Sequence, residues 1–193
     1  MADGNEAKTT TPKAEVKRSR YGPYTDAVID HFRNPRNHGE LADADAVAKV
    51  GSPICGDELW MYIKVDKNER GELYIKDVKF QSFGCAAAVA TGSVITELAK
   101  GKTLADALRI NRKDVAAALG GLPMVKIHCS LLSTDALHEA IYEYYKKNGI
   151  AISAELEQLH ENIVKGTTIA RMKQETAEDY CAVPGAKPTE KKE

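Results

Sequence analysis

No stretch of this 193-residue chain approaches the roughly 20 consecutive apolar residues that span a bilayer. Charge of one sign is also missing. With 27 Lys and Arg against 28 Asp and Glu, the sequence gives no electrostatic reason to expect nucleic acid or a membrane surface as a partner. The N-terminus lacks the apolar core of a secretory signal, and Asp3, Glu6 and Glu15 sit badly in an acid-poor transit peptide. No internal repeat is found, and no second core of convincing size, so one domain is expected. Cysteine is scarce: four residues at wide spacing do not make a disulfide framework. In the cytoplasmic, reducing compartment that these absences suggest, such cysteines are ligands, nucleophiles or plain core residues.

What is present divides by period. Residues 1–20 hold scarcely any large apolar side chains and are expected to be a disordered tail, as are residues 182–193. Thr25 or Asp26 can cap a helix whose apolar side carries Ala27, Val28, Ile29, His31 and Phe32, ended by Asn34-Pro35. Ala46 to Val50 is short and strand-like. Leu59, Met61, Ile63 and Val65 then alternate with Trp60, Tyr62 and Lys64, the two-residue repeat of a strand with one buried face. Residues 66–71 suit a hairpin loop, and Leu73 to Phe80 suits the return strand, where Val78 breaks the alternation and marks a bulge. Cys55 and Cys85 flank this hairpin and are expected at one end of it.

Helical patterns follow. One runs from Ala86 to Lys100 and stops at Gly101, a short one is capped by Thr103, and another runs from Lys113 to Leu119. Leu122 to Lys126 reads as an exposed linker into a long amphipathic helix that ends near Asn148-Gly149. Leu156, Leu159 and Ile163 suggest one more helix, in an extension spanning 151–181.

The residues that carry chemistry fall in three places: Cys55-Gly56-Asp57, Gly84-Cys85, and His128-Cys129. Three thiols, one carboxylate and one imidazole suit a soft metal or an iron-sulfur centre, and three thiols cannot pair evenly. Cys85 and Cys129 each open a helix, where positive potential is expected to lower a thiol pKa. Gly56 permits a turn from which Asp57 can reach back, so Asp57 reads either as a plain turn residue or as a hard, exchangeable ligand. Adjacent helical side chains diverge by about 100°, so His128 and Cys129 make a poor nucleophile-base pair; they reach one metal together only on irregular backbone, or else serve as alternative ligands. His31, His38, His138 and His160 have no comparable company and read as structural or exposed.

The segments Ile54-Cys55-Gly56-Asp57, Ser82-Phe83-Gly84-Cys85 and Leu122 to Leu132 resemble, in order and spacing, the three signatures of the IscU family, which is also the N-terminal domain of NifU. The similarity runs from Tyr24 through Lys147, including Val28 to Phe32 and Asn34 to Asn37, within a domain of residues 21–150. It implies an α+β fold, a small and mainly antiparallel three-stranded sheet packed against several helices, with the site at one exposed end. The implied function is that of a scaffold or carrier rather than an enzyme: a 2Fe-2S cluster is assembled on the chain and handed on. Cys55, Cys85 and Cys129 are the implied cluster ligands and sulfur acceptors, with His128 or Asp57 completing the set; iron, or zinc in the cluster-free form, is the implied metal. The implied partners are a cysteine desulfurase, a ferredoxin-like electron donor and apo iron-sulfur proteins. Leu122, Pro123, Met124, Val125 and Lys126 match the segment recognised by an Hsp70-class chaperone, although Met124 stands where the family has a second Pro. The resemblance leaves open a homodimer that shares the cluster. Two alternatives stand beside the scaffold: a zinc-dependent sulfur acceptor of the SufU type, which has an insertion before its third Cys and lacks the preceding His, and a structural zinc domain.

Overall fold

The computed structural model describes residues 22–52 and 55–165. The expected disordered ends, Cys181 and the part of the extension beyond Lys165 lie outside the described residues. Alternating apolar residues build three strands, β1 (Ala46–Gly51), β2 (Glu58–Lys67) and β3 (Leu73–Phe83), paired antiparallel in the order β1-β2-β3. One face carries Ala46, Ala48 and Val50, then Leu59, Met61 and Ile63, then Ile75, Val78 and Phe80, all buried. The expected break in alternation is a bulge at Lys76: Lys64 pairs with Asp77 but Val65 pairs with Ile75. The extra residue lets Ile75 and Val78, three apart, share the buried face.

Helix α1 (Asp26–Arg33) precedes the sheet and is capped by Thr25, whose side chain accepts from Val28 N at 3.1 Å. Its buried stripe is Val28 and His31, three residues apart. Phe32, expected on that stripe, lies one position round the helix and is 44% exposed. His31 is held by Ser93 Oγ, 2.8 Å from its Nδ1.

Helix α2 (Ala86–Ala99) and helix α5 (Ile127–Lys147) cover the buried face of the sheet, with α3 (Leu104–Ala107) and α4 (Arg112–Ala118) between them in sequence. The approach of α2 depends on Gly92, where a Cβ would lie 2.5 Å from the Phe80 ring. The stretch before α5 is only partly a linker, because Met124–Lys126 forms a 3-10 turn that runs directly into Ile127. Helix α6 (Ala154–Val164) is capped by Ser153 and buries Leu156. It docks on α5 through His160, which stacks on Tyr142 at 3.9 Å and reaches Glu139 Oε1 at 2.7 Å. Among the described residues no helix is long and apolar enough to cross a membrane.

Candidate metal and cluster site

Pairing of Glu58 with Phe83 places the residue before β2, Asp57, beside the residue after β3, Gly84. A Cβ on Gly84 would lie 2.7 Å from Asp57 Cγ, so the buried carboxylate occupies the space that a side chain at 84 would take. Upstream, Gly56 adopts φ +73°, and Ser52 ties the turn at both ends: its N donates to Asp57 O, and its O accepts from Gly56 N. Cys55 rides on this turn, exposed to solvent.

Cys85 is the N-cap of α2 and makes no side-chain capping bond there. Cys129 is the third residue of α5, fully buried against Ala87 and Ala88, with Tyr24 and Leu122 at the edge of the cluster. Thr91 Oγ1 donates to Cys129 O at 3.1 Å and so ties α2 to the first turn of α5. The Cys85 and Cys129 sulfurs are 3.7 Å apart.

The five residues resolve into two overlapping triads. In one, donor atoms of Cys55, Asp57 and His128 lie within 4.8 Å of each other; in the other, those of Asp57, Cys85 and Cys129 do. Asp57 belongs to both. His128 and Cys129 therefore diverge as neighbours on a helix must, one toward each triad, and regular helix from Ile127 suffices. Asp57 Oδ2 and His128 Nε2 are buried with no hydrogen-bond partner. Two orphaned acceptor-capable atoms beside three thiols fit a bound cation, because unpaired buried polar atoms are otherwise costly.

Electrostatics separates the two central thiols. The hydrogen bond from Cys129 pulls the Cys85 pKa down to about 6, against the opposing effect of burial. Cys129 moves the other way, since it donates to Cys85, is buried, and faces the Cys85 and Asp57 charges. The expectation that both helix starts lower their thiols thus holds in direction for Cys85 and fails for Cys129, the buried donor of the pair. Burial, then the charge of Lys126, holds His128 below the usual histidine range, which favours the neutral imidazole, the form able to bind a metal.

Two residues at the site have roles that sequence reasoning missed. Lys126 is raised chiefly by the Cys85 charge, which places its ammonium against that thiolate rather than wholly on a partner surface. Tyr24 is raised by burial first and by the Cys85 charge second. No spacing links Tyr24 to the cysteines; only the packing of α1 brings it there. Within the expected partner segment, Met124 and Val125 are 50% and 76% exposed, while Leu122 packs toward Cys129. Phe83, 74% exposed, adds a third apolar side chain beside the site. The other histidines stand apart: His38 edges onto Phe80, His138 bonds Ile110 O, and His160 bonds Glu139.

A three-stranded antiparallel sheet backed by helices, with three thiols, a carboxylate and an imidazole gathered at one end, defines an α+β domain that carries a candidate metal or cluster site. The chain belongs to the family of the NifU-like N terminal domain, whose model matches residues 23–151. It is 58% identical over 126 residues to the iron-sulfur cluster assembly scaffold protein IscU 1 of Archaeoglobus fulgidus, covering 65% of this chain and 79% of that protein. It is 45% identical over 129 residues to the IscU scaffold protein of Haemophilus influenzae, covering 65% of this chain and 98% of that protein. Among solved structures, an iron-sulfur cluster assembly scaffold ascribed to the SUF system of Fervidobacterium islandicum aligns with a TM-score of 0.51 at 26% identity, covering 61% of this chain and 96% of that one. Helix α6 begins beyond the matched span.

Proposed function

We propose that this chain is a scaffold for iron-sulfur cluster assembly, building clusters of the 2Fe-2S type in a reducing, cytoplasmic setting and passing them to apo-proteins. The observation that carries the reading is the convergence of Cys55, Asp57, Cys85, His128 and Cys129, with Asp57 Oδ2 and His128 Nε2 left unpaired. The cluster is cargo rather than a resident cofactor. Cys55, Cys85 and Cys129 hold it and accept sulfur, and Asp57 or His128 completes the coordination. A carboxylate or imidazole in place of a fourth thiolate makes release easier. Names of relatives as iron-sulfur cluster assembly scaffolds support this carrier role over catalysis.

A scaffold of this kind needs a cysteine desulfurase for sulfur, a ferredoxin-like donor for electrons, and apo-proteins to receive the product. Met124 and Val125, exposed beside the site, form the surface proposed for partners, an Hsp70-class chaperone among them. Residues 21–150 form the scaffold unit, with 151–181 as an extension; a homodimer is a further assembly in which the cluster could be shared.

Anaerobic reconstitution with iron, cysteine and a cysteine desulfurase is expected to yield a 2Fe-2S chromophore that moves to apo-ferredoxin. Colourless zinc protein with no transfer would overturn the scaffold and favour the zinc-dependent sulfur acceptor. That second reading draws support from the likeness to the SUF-system structure. His128 weighs against it, and so does the short interval from Cys85 to Cys129, which α2, α3, α4 and the 3-10 turn before α5 occupy without a further inserted element among the described residues.

A further inference from the structure

The sulfurs of Cys85 and Cys129 are near enough to bond to each other, and nothing in cluster assembly requires that they do. We propose that, in the metal-free chain, hydrogen peroxide joins Cys85 to Cys129 in a reversible intramolecular disulfide, leaving Cys55, Asp57 and His128 as a separate three-residue site.

Geometry supplies the pairing. The two sulfurs are 3.7 Å apart and must close by roughly 1.7 Å to reach disulfide length, a distance within the reach of side-chain rotation. Their helices are held together by the bond from Thr91 Oγ1 to Cys129 O, so the approach is fixed before any oxidant arrives. Cys55 lies in the other triad, with His128, and shares only Asp57 with this pair. Burial supplies the order of events: Cys85 is partly exposed, whereas Cys129 is buried and is shielded from oxidant and from other chains.

The Cys85 thiolate attacks one peroxide oxygen; the O–O bond breaks, the other oxygen leaves as hydroxide, and Cys85 becomes a sulfenic acid. Cys129 then attacks the Cys85 sulfur. An S–S bond forms, the S–O bond breaks, and the departing oxygen leaves as water with the thiol proton of Cys129 and the sulfenic proton; the first hydroxide takes its proton from solvent. Each sulfur gives up one electron and peroxide takes both. A dithiol reductant returns both thiols.

The chemistry concerns thiols alone and does not rest on the scaffold reading. The test uses the full chain stripped of metal, treated with peroxide, alkylated, digested and mapped by mass spectrometry. The expected product is one cross-linked peptide pair containing Cys85 and Cys129, lighter by two hydrogens and restored by dithiothreitol, with Cys55 still open to alkylation. Cys55→Ser is expected to give the same link. Cys129→Ser is expected to stop at a Cys85 sulfenic acid that dimedone traps. A link from Cys85 to Cys55 or Cys181, a link between chains, or direct passage of Cys85 to sulfinic acid in the unsubstituted chain would overturn the proposal. No cluster enters the assay, so failed reconstitution leaves this result standing, and a failed link leaves the scaffold reading standing.

Discussion

Asp57 and Gly84 face each other across the end of the β2–β3 ladder so closely that a Cβ at 84 would lie 2.9 Å from the Asp57 Cβ and 2.7 Å from its Cγ. The nearer atoms are the root of the aspartate side chain rather than a free tip, so rotation alone does not relieve the clash. Gly84→Ala is expected to turn the carboxylate out of both triads at a cost of about 1–3 kcal/mol in stability. Zinc affinity of the metal-free chain, read by calorimetry, should fall about tenfold or more. Affinity equal to that of the unsubstituted chain would show that Asp57 is not a donor.

Asp57→Ala separates the ligand role from the packing role. It leaves the space at Gly84 open and removes the hard donor that both triads share. If Asp57 is the exchangeable ligand of the proposed site, transfer of a reconstituted cluster to apo-ferredoxin should slow by about tenfold. Unchanged transfer kinetics would count against that role.

Thiol titration offers a check that needs no metal. Thiolate is the reactive form, so alkylation of Cys85 in metal-free protein should rise with pH through a midpoint of about 6. Cys129→Ala removes the donor that stabilises the thiolate, so the midpoint should move upward. A midpoint that stays where it was would mean that the helix start, not Cys129, sets the Cys85 acidity.

His31 links pH to folding. Burial, then the Arg36 charge, holds its pKa below 6.5 in the native chain, against an opposing effect of Glu97. Below that value the unfolded chain takes up a proton that the folded chain resists. The stability contribution is therefore complete above about pH 6.5 and is lost as pH falls from there through the native pKa. Urea unfolding at about pH 7.5 and about pH 5 should show a smaller acid loss for His31→Asn than for the unsubstituted chain. An equal loss in both would assign the acid sensitivity to other groups.

Much of the architecture is legible in the sequence because local signals agree with packing. Thr25, Thr103 and Gly101 mark element ends where the structure has them, and the alternation around Met61 gives a strand with its buried face. Even the break at Val78 is a true sign of a bulge, displaced to Lys76. The gathering of Cys55, Asp57, Cys85, His128 and Cys129 follows from placing both ends of one hairpin beside a helix start. What was hidden depends on distances that no local pattern encodes. Opposite shifts at Cys85 and Cys129 arise from a contact 44 residues apart in sequence. Tyr24 reaches the site only through the packing of α1, and Phe32 faces outward because Val28 and His31 already set the buried stripe.

Helix α6 lies outside the span that defines the family, yet α5 is shaped to receive it. Tyr142 is stacked by His160 and donates to Glu157 Oε1, Glu139 has His160 as its partner, and Leu156 is buried. A version of the chain shortened to Ala151 would be a different surface, not the same domain minus an appendage. It would bare the Tyr142 ring and strand the Glu139 carboxylate, whose pKa burial already raises, without its imidazole.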